Sequence, residues 1–365
     1  MFEILAEDGN ARCGKLKTAH GIVETPFFMP VVTKGAAKFI NNKELEQIGA
    51  GAIICNGFIL SIAPGLDILK KIGGIHKFIN YKGVVFTDSG GFQMYSDKFL
   101  EKTTDDGIHF KDPIHGERLL ITPEKSMEMQ NTVGSDVAMC LDDMPLYGSD
   151  KKRIQESVLK TISWAKRCKQ HHDEIKGNSG QLLFGIIQGG TDPELREFCA
   201  RAITAINFDG YAFGGLAIGE PSEETFSAVK AAIKFVPKEK PRYLMGVGTP
   251  ELILQAVSMG VDCFDSRYPT MTARNGTLFT HKGQINIDKK DFELDEKPID
   301  EKCKCFTCKN FTRAYIHHLT RLKEPTGNTL KTIHNVTWIQ NFMKEIRTAI
   351  KENRFEKFKK EFLKQ

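Results

Sequence analysis

Leu182-Leu-Phe-Gly-Ile-Ile-Gln-Gly-Gly-Thr-Asp-Pro193 decides the architecture of this chain. A short apolar run ends in a glutamine and two glycines. Asp192-Pro193 then puts a capping side chain ahead of a proline in a first helical turn. An uninterrupted apolar run bounded by glycines reads as a strand buried on both faces, the habit of parallel sheets. The same kind of run recurs at Thr25–Val32, Gly51–Asn56, Gly83–Asp88, Asp136–Asp142, Gly210–Leu216, Arg242–Gly248 and Val261–Asp265. Helical patterns fall between most of them, at Asn42–Ile48, Leu66–Ile72, Pro123–Thr132, Asp150–Glu174, Pro193–Ile206, Ser222–Phe235 and Pro250–Met259. Thr122-Pro123 and Thr249-Pro250 repeat the capped start. Eight strands alternating with helices predict an α/β fold, a (β/α)8 TIM barrel rather than a doubly wound open sheet.

Composition sets the outer bounds. With 365 residues, 41% hydrophobic and 27% charged, the chain has enough apolar material for a globular core, which excludes a disordered or fibrous protein. The net charge of +5 hints at an anionic partner without demanding one. Glu3, Glu7 and Asp8 leave no basic leader segment, and Asn56 and Ser61 break the most apolar stretch, Ala50–Pro64, well short of a membrane span. Nine cysteines, an odd number, argue against a disulfide scaffold. The expected location is the cytoplasm, a reducing compartment.

Six of the cysteines are scattered, whereas Cys303, Cys305 and Cys308 crowd together in a Lys-rich irregular stretch. A redox pair favours a strand–helix turn, which this stretch lacks. Three soft thiolates with a distant histidine instead match the tetrahedral Cys3His sets that bind structural zinc. His334 is the candidate fourth ligand, with His317 and His318 as competitors. The segment follows an irregular polar region, Arg274–Glu301, and precedes a renewed helical period at Thr332–Ile350. It therefore reads as an insertion before the last barrel helix. The expected division is a barrel with an N-terminal hairpin over 1–273, a zinc-binding insertion over 274–333, and the last helix with a basic tail over 334–365. Met94–Ile121, with Asp105-Asp106-Gly107, reads as an inserted hairpin.

In a TIM barrel, polar residues at the C-terminal ends of strands line the active site. Here those ends carry Thr87-Asp-Ser-Gly-Gly-Phe-Gln93, Leu141-Asp-Asp143, Gln188-Gly-Gly190, Gly214-Gly-Leu-Ala217 and Phe264-Asp-Ser266. A lone Asp in such a place is usually a cap, but its recurrence on several strands points to a site. Paired carboxylates suit chemistry at a sugar's anomeric carbon, one attacking and one moving a proton. Glycines let a flat base approach the backbone. Lys302, Lys304, Lys309, Arg313 and Arg321 near the cysteines, and six more basic residues in the final helix, suggest contact with phosphates.

Six ordered motifs now carry a resemblance. Asp88-Ser-Gly-Gly-Phe-Gln93, Phe184-Gly-Ile-Ile-Gln-Gly-Gly190, Gly214-Gly-Leu-Ala-Ile-Gly-Glu220, Tyr243-Leu-Met-Gly-Val-Gly248, Phe264-Asp265 with Arg274-Asn-Gly276, and Cys303-x-Cys-x-x-Cys308 resemble the bacterial form of tRNA-guanine transglycosylase. The resemblance runs from about Gly14 into the C-terminal helix. It implies a barrel with a zinc-binding insertion and exchange of the wobble guanine of GUN-anticodon tRNAs (Asp, Asn, His and Tyr) for a 7-deazaguanine, preQ1 or queuine. It implies Asp265 as nucleophile and Asp88 as general acid/base. Ser89, Phe92, Asp142, Gln188, Gly215, Leu216 and Glu220 match the base-binding set. Cys303, Cys305, Cys308 and His334 match the zinc ligands, and the candidate RNA contacts are Arg274, with Lys302 and Lys304 from the basic stretch around the cysteines. A homodimer with contacts near Phe306–Tyr315 is also implied.

Several positions depart from the family pattern. Asn56-Gly-Phe-Ile-Leu60 replaces the usual Asn-Thr-Tyr-His-Leu, Met144 and Ser266 replace cysteines, and Met271 replaces an arginine. Loss of that arginine removes a bidentate contact, which bears on anticodon recognition. Two other readings stand beside the exchange enzyme: a non-catalytic RNA-binding partner subunit, and a relative acting on DNA. Both Asp88 and Asp265 being present favours the enzyme over the partner subunit, and the intact zinc motif weighs against the DNA relative.

Overall fold

The computed structural model describes residues 2–90, 100–112 and 116–364. An antiparallel meander comes first: β1 (Phe2–Asp8), β2 (Ala11–Thr18) and β3 (Gly21–Thr25). The eight apolar runs then supply eight parallel strands. They are β4 (Phe27–Pro30), β5 (Ala52–Asn56), β6 (Val84–Asp88), β10 (Val137–Met139), β11 (Leu182–Ile187), β12 (Gly210–Phe213), β13 (Arg242–Leu244) and β14 (Cys263–Ser266). Between β6 and β10 lies a small antiparallel sheet of β7 (Leu100–Thr103), β8 (Ile108–Lys111) and β9 (Arg118–Ile121). Asp105-Asp106-Gly107 turns β7 into β8, the expected hairpin, and β9 adds a third strand.

The parallel strands pair in the order β4-β14-β13-β12-β11-β10-β6-β5. The Val32 N–H donates to the Ile54 carbonyl at 2.8 Å, and Val31 bridges Ile54, so the two outer strands meet just past β4. The sheet is thus an almost closed barrel, as expected. Its core follows the two-residue period of strands. In β11, Phe184 and Ile186 join Met29, Phe86, Met139, Ala212 and Tyr243 in the barrel's interior, while Leu183 and Ile187 pack outward against the helices. The barrel is a packed core, not a pore.

The surrounding helices start where the sequence signals them. Asp192 accepts from the Glu194 and Leu195 N–H groups at 2.9 and 3.1 Å, and Thr122 caps Pro123–Val133. Thr249, read as a cap, makes no side-chain capping bond, and Pro250 alone marks that start. The helix Pro325–Lys351 takes the last place around the barrel, where Gln340 Nε2 donates to the Phe28 carbonyl and Arg347 Nη1 to that of Pro26. Before it come the hairpin β15 (Thr277–Thr280) and β16 (Gly283–Asn286) and the cysteine segment. Among the described residues, no helix is long and apolar enough to cross a membrane.

Candidate active site and metal centre

A cavity of about 500 Å³ opens at the C-terminal ends of the strands, and Asp88, Ser89, Asp142, Gly215, Leu216, Glu220 and Asp265 all line it. Strand geometry explains most of the convergence, because Asp88, Ser89, Asp142, Gly215, Leu216 and Asp265 lie at or just beyond the ends of their strands, while Glu220 comes from the longer loop after β12. Phe92 lies outside the described residues.

Asp265 is the penultimate residue of β14 and is held by two donors on one oxygen. The Tyr243 hydroxyl donates to Oδ1 at 2.6 Å and the Gly246 N–H at 2.9 Å. Burial raises this carboxyl above the usual range, and the two hydrogen bonds oppose the rise. Asp88 ends β6 and accepts from the Gly90 N–H at 3.0 Å. It is pushed up to about 7, first by burial and then by the charges of Asp265 and Asp142, against hydrogen bonds from Gly90 and Asn56. The cavity thus holds one carboxylate stabilised by donors beside another that keeps a proton near neutrality. That division supports one group as nucleophile and the other as acid.

The opposite wall is shaped for a flat, polar-edged ligand. Gln188 Nε2 donates to Asp142 Oδ2 at 2.6 Å, while Gln188 Oε1 is buried without a hydrogen-bond partner among the described residues. Asp142 is itself raised to about 6, chiefly by burial. Gly215 has φ +65°, and a Cβ there would stand 2.4 Å from Gln188 Oε1. Only glycine fits that combination. Glu220 sets the next turn: its carboxylate accepts from the Ala217 N–H at 2.5 Å, the Ile218 N–H at 3.0 Å and the Thr225 hydroxyl at 2.7 Å.

Two neighbours fall outside the expectation. Asp143, adjacent to Asp142, turns away from the cavity because alternation sends it to the other face, where Arg153 Nη2 and Nη1 hold it at 2.5 and 2.9 Å. Arg196, which the sequence reading passed over, is fully buried behind the wall. Its guanidinium donates to the carbonyls of Gly190, Ile187 and Gly214 at 2.6, 2.7 and 2.8 Å, tying the ends of β11 and β12 together. Its place one turn into the helix after Asp192-Pro193 was the available signal.

Of the departures from the family pattern, Met144, Ser266 and Met271 line the cavity, whereas Phe58 and Leu60 are buried in the core. Met144, Met245, Leu252 and Met271 give the cavity an apolar border. The Ser266 hydroxyl accepts from the Tyr268 N–H at 3.1 Å. Arg267 lines the same rim beside Arg274, whereas Lys302 and Lys304 lie exposed in the cysteine segment.

Cys303, Cys305, Cys308 and His334 come together, with one ligand atom from each within 4.8 Å of the others. Cys305 caps the short helix Phe306–Asn310 and so brings Cys308 around to it. His334 Nδ1 stands 3.6 Å from Cys305 Sγ and 3.3 Å from Cys308 Sγ, and its Nε2–H donates to the Phe279 carbonyl at 2.7 Å. That bond fixes the tautomer with Nδ1 facing the thiols, the usual support of a metal-binding imidazole. Hydrogen bonds with Cys303 and then Cys308 shift the Cys305 thiol down, and hydrogen bonds with Cys303 and then Cys305 shift Cys308 up. The donor set fits a tetrahedral metal ion, with no position open to substrate. His317 is engaged elsewhere, with Nδ1 against the Ile287 carbonyl at 2.7 Å.

Comparison with known proteins places this architecture. A family model described as queuine tRNA-ribosyltransferase matches residues 7–365. A queuine tRNA-ribosyltransferase of Francisella tularensis subsp. novicida is 44% identical over 362 residues, covering 99% of this chain and 98% of the relative. One from Thermoanaerobacter pseudethanolicus is 45% identical over 365 residues, covering 100% of this chain and 96% of the relative.

Proposed function

The chain belongs to the queuine tRNA-ribosyltransferase family, the tRNA-guanine transglycosylases, and from that premise we propose that it exchanges the wobble guanine of GUN-anticodon tRNAs for a 7-deazaguanine in queuosine modification. The observation that carries this reading is the pair of carboxylates in unlike surroundings, Asp265 held by two donors and Asp88 raised to about 7, facing one cavity. Asp265 attacks the ribose C1′ as the C1′–N9 bond to guanine breaks, giving a ribosyl ester on the enzyme. Asp88 gives its proton to the departing guanine. It then takes the N9 proton of the incoming base, which attacks C1′ and releases Asp265.

The base sits against Asp142, Gln188 and the Gly215 backbone, with Ser89, Phe92 and Leu216 around it and Glu220 fixing the turn that meets its substituent. Glu220 itself stays ionised, its carboxyl held below the usual range, although burial opposes this, by the Thr225 hydroxyl and backbone donors. Arg274, Lys302 and Lys304 contact the anticodon-loop phosphates of the Asp, Asn, His and Tyr tRNAs. Cys303, Cys305, Cys308 and His334 hold zinc, which supplies a structural crosslink. In this reading residues 274–333 form a zinc-held insertion between the barrel, 1–273, and the closing segment, 334–365. The protein works in the cytoplasm as a homodimer.

Labelled guanine offered with GUN-anticodon tRNA tests the reading, followed by a chase with preQ1 or queuine. Label should enter tRNA with wild type and not with Asp265→Ala. The base that chases it out identifies the physiological substrate. Failure of wild type to incorporate label would overturn the proposal.

A further inference from the structure

At the opposite, N-terminal face of the barrel, three segments meet around a carboxylate that the exchange reaction does not use. Asp136, buried, directly precedes β10. Its Oδ1 accepts from the His20 backbone N–H at 2.9 Å and its Oδ2 from the Val85 N–H at 2.8 Å. His20 Nδ1 stands 3.0 Å from Oδ1 and His76 Nε2 3.1 Å from Oδ2.

His76 Nδ1 lies 3.2 Å from the Tyr81 carbonyl, a contact that only a ring N–H can make, so Nε2 is the nitrogen turned toward Asp136. Among the described residues His76 Nε2 is buried with no well-aligned hydrogen-bond partner. One ligand atom from each of His20, His76 and Asp136 lies within 4.8 Å of the others, and the two imidazoles are stacked with centroids 3.6 Å apart. Ligands bound to zinc at about 2.0–2.1 Å in a tetrahedral array stand about 3.3 Å apart, close to the spacings found here. The backbone carbonyl on the far nitrogen of His76 is the same support that His334 receives from Phe279.

We propose that His20 Nδ1, His76 Nε2 and the Asp136 carboxylate form a second transition-metal site, of the zinc class. Two imidazoles and a carboxylate suit zinc, cobalt or nickel rather than magnesium or calcium. The three protein ligands leave a fourth position open toward an adjoining polar cavity of about 600 Å³, lined by Lys77, Asn80, Lys82, Asn131 and Gln181. The ion would clamp the β2–β3 turn, the helix Ile75–Ile79 and the start of β10.

The test is a Co2+ titration of the full chain with its Cys3His site already filled, at pH 7.5. Bound metal should rise from one to two per chain, with new visible absorption but no new thiolate charge-transfer band, and the thermal midpoint should rise with the second equivalent. His20 is half-exposed, so His20→Ala keeps the fold; it should stop at one metal per chain, and His76→Gln should do the same, each with the thiolate spectrum intact. Wild type stopping at one equivalent, as a site holding only a shared proton would, overturns the proposal. So does a His20→Ala protein that still takes two.

Discussion

Replacing Tyr243 with phenylalanine isolates what the Asp265 carboxylate owes to its surroundings. Tyr243 is fully buried in the barrel interior, where its ring meets Phe86 edge-on with centroids 6.1 Å apart. Phenylalanine preserves that packing and removes only the hydroxyl that donates to Asp265 Oδ1 at 2.6 Å. The Gly246 N–H, at 2.9 Å, remains. A hydrogen bond to a charged group contributes about 1.5–3 kcal/mol. At about 1.4 kcal/mol per pH unit, its loss raises the Asp265 carboxyl by about one to two units. The shift is upward because the lost donor favoured the ionised form, and burial already disfavours that form. An ionised nucleophile is needed, so the acid limb of the exchange rate should move to higher pH by the same amount. At a fixed pH on that limb, guanine exchange should fall about 10- to 100-fold. The alkaline limb, set by the proton on Asp88 near 7, should stay in place, so the optimum narrows and its peak drops. The assay is labelled-guanine incorporation into tRNA across the pH range. An acid limb unchanged from wild type would refute the assignment of Tyr243 as the residue that keeps Asp265 ionised.

Other consequences follow from the same wall and from the metal cluster. Arg196→Met leaves the buried Gly214 carbonyl without a donor, at about 1–3 kcal/mol, and also strips the half-buried Gly190 carbonyl, while that of Ile187 keeps the Gly214 N–H; KM for guanine should rise more than kcat falls, and Arg196→Lys should recover part of the loss. Gly215→Ala strains a left-handed residue by about 1–2 kcal/mol and drives a Cβ to within 2.4 Å of Gln188 Oε1. Base binding measured by calorimetry should weaken at least tenfold, while tRNA binding by gel shift stays near wild type. Stripping the metal with a chelator should lower the thermal midpoint, because structural zinc contributes on the order of 10 kcal/mol in small zinc modules. Cys308→Ala should melt like the stripped protein, and metal added back should rescue wild type only.

The barrel was legible because its strands are buried on both faces, so each reads as an unbroken apolar run with punctuation at both ends. Leu182–Ile187 shows why: glycines and a proline bracket it, and the helix cap at Asp192 forms as its side chain requires. Asp88, Asp142 and Asp265 were legible as a group because a barrel sends its strand ends to one mouth. Which of two adjacent carboxylates faces inward was not. Asp142 and Asp143 differ only by the alternation of an extended chain and by the arginine waiting for the second one. The Tyr243 hydroxyl on Asp265 and the Arg196 clamp join different strands, and short-range pattern carries no information about such pairings. The same holds for Asp136, which reads as an ordinary strand opening until the β2–β3 turn and the helix Ile75–Ile79 close over it.

The most direct measurement is a search for the covalent enzyme–RNA adduct. The protein is mixed with GUN-anticodon tRNA without an incoming base, then denatured and resolved by mass spectrometry of the protease-digested complex. An ester between the Asp265 carboxylate and the ribose of the wobble nucleotide is expected, absent from Asp265→Asn and discharged from wild type by preQ1 or queuine. An adduct that survives Asp265→Asn, or one mapped to Asp88, would contradict the assignment of the two carboxylates.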